Sequence, residues 1–574
     1  MPELNLDLTA CQQQLVRVTI SLRPKRANLG FALPTWTPGS YLIRDYVRQL
    51  EGLEVWQGGQ SLLPRRCSPS SWQLQLTCLE PLEIRYTLLA AELTVRTCHL
   101  NGEHGFLALA AVALELEGER WSCHRLQLRL PPGWQAFVPL AEAAGSGWLA
   151  QNFDQLVDSP IEVGPHRSHS FSVAGVPHRW VSWGQVLQGC DLVESDALWL
   201  KQLESICLAC CRLMGVDRPE APHYLFVLHL SEAGHGGLEH DMSSVLQFGR
   251  RSLARPGGRR KLLQLAAHEY LHQWNVRRLR PAELTPYRYD QAVVVPTLWF
   301  VEGITSYVDK LLPLSAGCCT ETEVIEDLGT CLSRYLLSPG RRIQSLRASS
   351  EEAWVKLYRQ DAFSANSQIS YYLKGAVLAM VLDLHLRRAG CCLPTVLREL
   401  WTSYGAVGRG YREAELVEAF ACRAPDLRGL LPTWLSGYGD PPLETYLADV
   451  GLRLDATLGT SQNLGCRLES GTGAPWAAGV DRDGPAAMAG VTVGDEWLAL
   501  DGVRLRTPED ALEMVRAGES LRARQLLFCR DGLVRTTTLT AAPPTPIGWR
   551  LLLDPDGTET MAQQRRRWLS LELP

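Results

Sequence analysis

The segment HEYLHQWNVRRLRP, His268 to Pro281, sets two histidines four residues apart with a glutamate directly after the first. Residues four apart on an α-helix are displaced by about 40° around its axis, so His268 and His272 share a face and both imidazoles can reach one ion. Glu269 falls too far round for easy ligation. It is close enough to take a proton from a water on that ion, which is the work of a general base. The run GGRRKLLQLAAHEYLHQWNVRRL begins at a glycine pair, contains no proline and stops before Pro281, which predicts a helix of about five turns.

A catalytic metal site needs a third protein ligand and an open fourth position. After a Pro- and Tyr-rich connection, PTLWFVEGITSYVDKLL predicts a second helix, and 29 residues separate its Glu302 from His272. A solvated carboxylate is the plain alternative. Trp299, Phe300, Val301 and Ile304 surround it, however, and a charge among apolar residues is costly unless it is paired or metal-bound. The pattern therefore points to one Zn2+ per chain, held by His268, His272 and Glu302, with Glu269 as catalytic base.

These residues need a large scaffold, and the chain of 574 residues is long enough for about three or four domains. With 46% apolar residues, 21% charged and a formal net charge of -5, it has a globular composition that names neither nucleic acid nor a membrane as partner. No run suggests the roughly 20 apolar residues of a membrane span. The start, MPELNLDLTACQQQLVRVTISL, alternates like a strand and lacks the plan of a signal peptide, so a cytoplasmic location is expected. The 17 cysteines include the adjacent pairs Cys210-Cys211, Cys318-Cys319 and Cys391-Cys392, which suit buried thiols better than a disulfide framework.

Texture changes along the chain. Residues 1–165 hold short alternating runs such as VRVTISL, SWQLQLTCL and HRLQLRLP between turns, which predicts an all-β domain. From about 166 to 452 helical patterns dominate after two strands, HYLFVLHL and SSVLQFG. Short strands return after Asp455 around one helix, with Thr507 as N-cap, Pro508 at its first position and ALEMVRA running up to Gly518. Residues 546–574 read as a tail whose QQRRRW run is a surface or linker feature.

HEYLHQWNVRRLRP, LWFVEGITSYVDKL, GGLEH (Gly236 to His240) and WTPGSYLIRDY (Trp36 to Tyr46) together resemble the glycyl aminopeptidase family of zinc metallopeptidases, PDZ-containing relatives of the thermolysin-type gluzincins. The resemblance implies a multidomain α+β protein. Its parts would be an N-terminal β-sandwich-like domain (1–165), a thermolysin-like, mainly helical catalytic domain (166–452), a C-terminal PDZ domain (455–545) and the tail. It also implies removal of small N-terminal residues such as Gly and Ala.

Gly236 and Gly237 precede Glu239 between two strands, where glycines let a substrate backbone approach a strand edge. An exopeptidase must hold a free α-ammonium, and Glu239 is similar in placement to the glutamate that does so in larger zinc aminopeptidases. A plain loop glutamate is the alternative, and His235 and His240 read as polar loop residues. The run Tyr372, Leu373, Lys374, Gly375 resembles the YxKG segment of those enzymes, whose tyrosine steadies the oxyanion; Tyr371 is expected to point elsewhere, and amphipathic packing is the alternative for either. Ser306 stands where thermolysin-type enzymes place an aspartate behind a zinc histidine, so that support is expected from another residue. Asn275, Arg277 and Arg278 are open between substrate contact and structural pairing. For the PDZ region, β-augmentation by a C-terminal peptide is expected near Leu464 to Leu468 and Pro508 to Val515.

Three readings follow: an aminopeptidase acting on peptides with a free N-terminus, an endopeptidase with the same chemistry, or a catalytically inactive peptide-binding scaffold. The intact set His268, Glu269, His272 and Glu302 argues against the last. Oligomeric state is not legible from the sequence.

Overall fold

The computed structural model describes residues 1–516, 518 and 520–573. Alternation in the first 165 residues becomes sheet. In the strand Leu15–Leu22 every second side chain, Val16, Val18, Ile20 and Leu22, is buried. That strand lies near the middle of an eight-stranded sheet, flanked by Glu3–Asp7 and Leu82–Leu89. Two four-stranded sheets accompany it, and one of them runs Gln135–Phe137, Ile161–Gly164, Gly105–Leu107, His99–Leu100.

The next unit is built on a five-stranded sheet with the order Ser168–Val173, Val176–Trp183, Tyr224–Ser231, Ser243–Gly249, His235–Glu239. Its three inner strands pair in parallel. Tyr224–Leu230 is buried on both faces and is apolar but for His229, as suits a covered parallel strand. His235–Glu239 is left at the sheet edge, paired antiparallel to Ser243–Gly249.

Three helical segments pack beside this edge. Gly258–Leu271 carries His268 and Glu269 but ends with His272 as its C-cap, short of the expected five turns. Beyond it the backbone loosens: Arg277 N–H donates to His272 O and Leu279 N–H to Trp274 O, each spanning five residues. The second segment is a π-helical turn, Trp299–Ile304, that continues as the α-helix Thr305–Ser315. The third, Tyr371–Arg388, crosses the π turn with glycine on both sides: a Cβ on Gly303 would lie 2.5 Å from the Gly375 Cα. The stretch Ser364–Arg388 has the length and apolarity of a membrane span, contrary to expectation, yet 83% of its apolar window is buried within the fold.

The strand Leu452–Leu458 pairs antiparallel with Pro546–Leu553, and the residues between fold on their own sheet and core around Trp497, Leu500 and Phe528. The helix expected over 508–517 has the Thr507 cap with a reciprocal bond from Asp510, but it stops at Glu513; residue 517 lies outside the described residues. The segment 546–574 is more than the tail expected. Its strand packs on the helix Glu321–Leu336, where a Cβ on Gly329 would lie 3.1 Å from Leu551, and its helix Glu559–Leu569 buries Trp568 and Leu569. In QQRRRW, Arg566 and Arg567 are exposed and Arg565 pairs with Glu321, while Trp568 Nε1 donates to the buried Tyr307 hydroxyl at 2.6 Å.

Candidate active site

His268 and His272 turn the same ring nitrogen toward Glu302. Their Nε2 atoms stand 3.5 and 3.3 Å from Glu302 Oε2, and that oxygen is buried without a hydrogen bond. Each Nδ1 is engaged behind: His268 Nδ1 lies 2.9 Å from Asp309 Oδ2, and His272 Nδ1 lies 2.6 Å from the Asn275 carbonyl. With Nδ1 donating, the Nε2 lone pairs are free and face the carboxylate. The three donor atoms all lie within 4.8 Å of one another. Metal–nitrogen bonds of about 2.0–2.1 Å set tetrahedral donors roughly 3.3 Å apart, so this cradle fits a divalent cation.

Asp309 is the support expected behind a histidine, and sequence reading missed it. It stands seven residues after Glu302, beyond the π turn, and not at the fourth position, which is Ser306. Ser306 instead offers its carbonyl to Lys310. Asn275 is the second support. Besides its carbonyl on His272, its amide donates to Val301 O at 3.2 Å and so ties the histidine segment to the Glu302 turn. Arg277 pairs with Asp158 at 2.9 Å and with Asp241 at 2.8 Å, which settles it as a structural residue. Arg278 donates to the Gln273 and Asp241 carbonyls. His240 is no free loop residue either: it is buried and bonded to Asp158 at 3.0 Å.

Glu269 is 4% exposed and packs against the edge strand. A Cβ on Gly237 would come within 2.1 Å of its Oε1, so only glycine admits this carboxylate. Burial raises the Glu269 carboxyl, the Glu239 and Glu302 carboxylates add to that, and although His268 and His272 oppose, it stands at about 7. Glu239, Glu269 and His272 place ligand-type atoms within 4.8 Å of each other. Glu302 is opposite in sign: burial raises it, but the His272 and His268 imidazoles outweigh burial and hold it at about 2.

Glu239 ends the edge strand, 3% exposed, and its Oε1 makes no hydrogen bond. The N-terminal domain closes over it. A Cβ on Gly39, in the WTPGSY run, would lie 2.5 and 2.7 Å from the two Glu239 oxygens, and Arg96 donates to Gly237 O at 3.1 Å. Gly236 is open; a Cβ there would meet nothing within 4 Å. Trp36 Nε1 donates to Arg288 O at 2.7 Å, fastening the same loop to the catalytic unit.

Tyr372 lies on the far side, its ring stacked toward His268 with centroids 6.4 Å apart. Burial pushes its hydroxyl well above the ordinary phenol value, so it stays a proton donor. Tyr371 does not point elsewhere as expected. The rings of Tyr371 and Tyr372 stack at 4.8 Å, and both hydroxyls meet that of Tyr358, at 3.4 and 3.2 Å. Tyr358, like Gly39 and Arg96, carries no spacing signal to a histidine pair and was not found from sequence.

Comparison with known proteins places these elements. The model of the M61 glycyl aminopeptidase matches residues 261–378, which span the histidine helix, the π turn and the Tyr372 segment. The model of the peptidase M61 N-terminal domain matches residues 3–165. Curated proteins give no sequence match. Among solved structures, an aminopeptidase N family protein from Idiomarina loihiensis superimposes with a TM-score of 0.89 at 26% identity, over 99% of this chain and 100% of that one. Legionella pneumophila aminopeptidase A in complex with aspartic acid gives 0.48 at 13% identity over 80% of this chain and 50% of its own. Native yeast LTA4 hydrolase gives 0.46 at 14% over 78% and 70%. Since both halves of the site, the histidine helix with its tyrosine partner and the β domain that closes over Glu239, fall within matched segments, the chain belongs to the M61 glycyl aminopeptidase family and is a peptide hydrolase.

Proposed function

We propose that the protein is a zinc aminopeptidase releasing small N-terminal residues, Gly and Ala, from peptides. The observation that carries the reading is Glu239: a buried carboxylate with a partnerless oxygen, beside Glu269 and under the Gly39 loop, is a receptor for an α-ammonium. The tightness of Gly39 against it supports the small-residue preference. His268, His272 and Glu302 would hold the catalytic ion, which when bound would supply an activated water and a polarised scissile carbonyl.

The chain's own groups do the rest. Glu269 accepts the water's proton at its carboxylate and delivers it to the leaving amine nitrogen. The Tyr372 hydroxyl donates to the oxygen that gains charge as the carbonyl is attacked. The Glu239 carboxylate accepts from the substrate ammonium and thereby sets which bond reaches Glu269. The edge strand His235–Glu239, open at Gly236, offers backbone to the peptide.

The unit within 455–545 we read as a PDZ domain, on the pattern DGPAAMAGVTVGDEWLALDGVRL and on an edge strand, Cys466–Glu469, and a capped helix, Pro508–Glu513, that share one small core. The test is zinc content together with hydrolysis of glycyl and alanyl chromogenic amides, for the native chain and for Glu269→Gln. The variant should keep zinc and lose turnover; equal turnover would remove Glu269 from the reaction. N-acetylated amides of the same sequence should be refused, and their hydrolysis would point to an endopeptidase instead.

A further inference from the structure

A second convergence of imidazoles on a buried carboxylate lies apart from the catalytic residues, at the seam between the N-terminal domain and the five-stranded sheet. Glu162, on the strand Ile161–Gly164, is fully buried. His104 Nδ1 and His166 Nε2 stand 3.0 and 2.8 Å from its Oε1, and His229 Nε2 stands 2.9 Å from its Oε2. His104 enters the N-terminal strand Gly105–Leu107, while His229 belongs to Tyr224–Ser231 at the centre of the catalytic sheet. The ligand-type atoms of His104, Glu162 and His166 all lie within 4.8 Å of one another.

This charge lacks an ordinary counter-ion. Among the described residues the groups paired with Glu162 are imidazoles, with neither lysine nor arginine. The surroundings are otherwise apolar: Trp183 stacks on His104 at 4.0 Å and Phe106 lies edge-on to His229 at 5.0 Å. A carboxylate in such a place is costly to bury unless a cation, an imidazolium or a metal ion, meets it.

We propose that His104 Nδ1, His166 Nε2 and Glu162 Oε1 form a second cation site, for a borderline divalent ion of the zinc class. His229 then holds the second carboxylate oxygen and fixes the orientation of the ligand, as partners behind metal ligands do. His99 adds a further imidazole beside His104, ring centroids 4.9 Å apart, with both nitrogens free of hydrogen bonds. Donors around bonds of about 2.0–2.1 Å sit roughly 3.0–3.4 Å apart, so uptake of an ion opens the cluster by a few tenths of an ångström. Access is from the side of His166, the one of the three donors not fully buried. Because His229, which holds Glu162, comes from the other sheet, the ion would lie at the seam between the N-terminal domain and the catalytic unit. It would stabilise the fold by mass action.

The test separates this site from the catalytic one by working in a chain with both catalytic histidines replaced, His268→Asn and His272→Asn. Each protein is stripped with a chelator, reconstituted with zinc, desalted and assayed for metal by mass spectrometry. The native chain should hold two equivalents, the double variant one, and the double variant with His166→Gln none. Zinc should raise the unfolding midpoint of the double variant and leave that of the triple variant unmoved. In the native background His166→Gln should keep turnover on glycyl amides, which also certifies its fold. Cobalt in the double variant gives a measurement needing no change in the cluster: a ligand-field band in the visible supports the site. A double variant that retains no zinc, gains no midpoint shift and shows no cobalt band overturns it, and leaves the cluster a hydrogen-bonded network. A native chain that lost its only equivalent on His166→Gln would support this site and refute the catalytic one.

Discussion

His268 depends on what stands behind it. Its Nδ1 lies 2.9 Å from Asp309, and this contact fixes the ring so that Nε2 faces Glu302. Removing such a partner in metal sites costs about 10- to 100-fold in metal affinity or activity. Asp309→Ala is therefore expected to weaken zinc binding by about that factor while leaving Glu239 untouched, as read by competition with a chromogenic chelator. Lys374 gives a second expectation, on stability. Its ammonium is buried, donates to the Arg341 and Gln344 carbonyls at 2.9 and 3.3 Å, and burial lowers it from 10.5 to about 8 despite the opposing charge of Asp440. A base depressed in the folded state is protonated in both states below pH 8, where its burial cost is fully present. Between about 8 and 10.5 the unfolded chain holds a proton that the folded chain has released, so stability from this group rises with pH. Chemical unfolding of the native chain and Lys374→Met at pH 8 and pH 10 should show the native chain gaining relative to the variant; a constant difference would mean that Lys374 titrates unperturbed. At this scale the histidines, Glu269 and Glu302 were legible because a helical period and an apolar setting constrain them. Asp309 was not, since its approach requires knowing how the turn after Glu302 is wound.

That winding belongs to the next scale. The π turn Trp299–Ile304 changes the angular position of everything after Glu302, and π segments of this kind recur at functional sites. The apolar pattern of LWFVEGITSYV supports a helix and has no mark of the extra residue, because burial is nearly complete on every face. The same turn meets Tyr371–Arg388 backbone to backbone: a Cβ on Gly375 would stand 2.9 Å from both the Gly303 Cα and the Trp299 carbonyl. This crossing sets Glu302 and Tyr372 across one gap. Gly375→Ala should cost about 1–3 kcal/mol through overpacking and should move the tyrosine from the site. The measurable result is a lowered unfolding midpoint together with a fall in kcat that exceeds any change in KM. A variant with native turnover would show that the two helices can separate without consequence. The length of the histidine helix was over-read for a related reason: nothing in WNVRRL breaks a helix, and the loosening after His272 accompanies the Asn275 carbonyl taking up the His272 ring, a tertiary choice.

For the whole molecule, the order of domains along the chain differs from the order in which they stabilise one another. Leu452–Leu458 and Pro546–Leu553 are neighbours in one antiparallel pair, so the sheet unit between them is carried as an insertion, and its two ends leave from adjoining positions, Leu458 opposite Pro546. It has its own core and touches the body through Asn366, whose amide donates to Val480 O at 2.6 Å and accepts from Arg482 N–H at 3.4 Å. The final helix, by contrast, is part of the catalytic core. Trp568 is fully buried, and its bond to Tyr307 continues from the Tyr307 hydroxyl to Asp383 at 2.9 Å, on the helix that carries Tyr372. Two deletions should therefore have opposite outcomes. Excising residues 460–544 and joining the strands by a short Gly-Asn turn leaves the strand pair and the last helix in place, and should keep zinc content and turnover on glycyl amides. Stopping the chain at residue 545, although it removes far fewer residues, strips a strand from the helix Glu321–Leu336 and bares Tyr307 and Asp383. A fully buried tryptophan contributes about 3–5 kcal/mol when truncated to alanine. The shortened chain should accordingly be recovered as insoluble or unfolded protein, and a soluble, active product ending at 545 would show that the last strand and helix are dispensable.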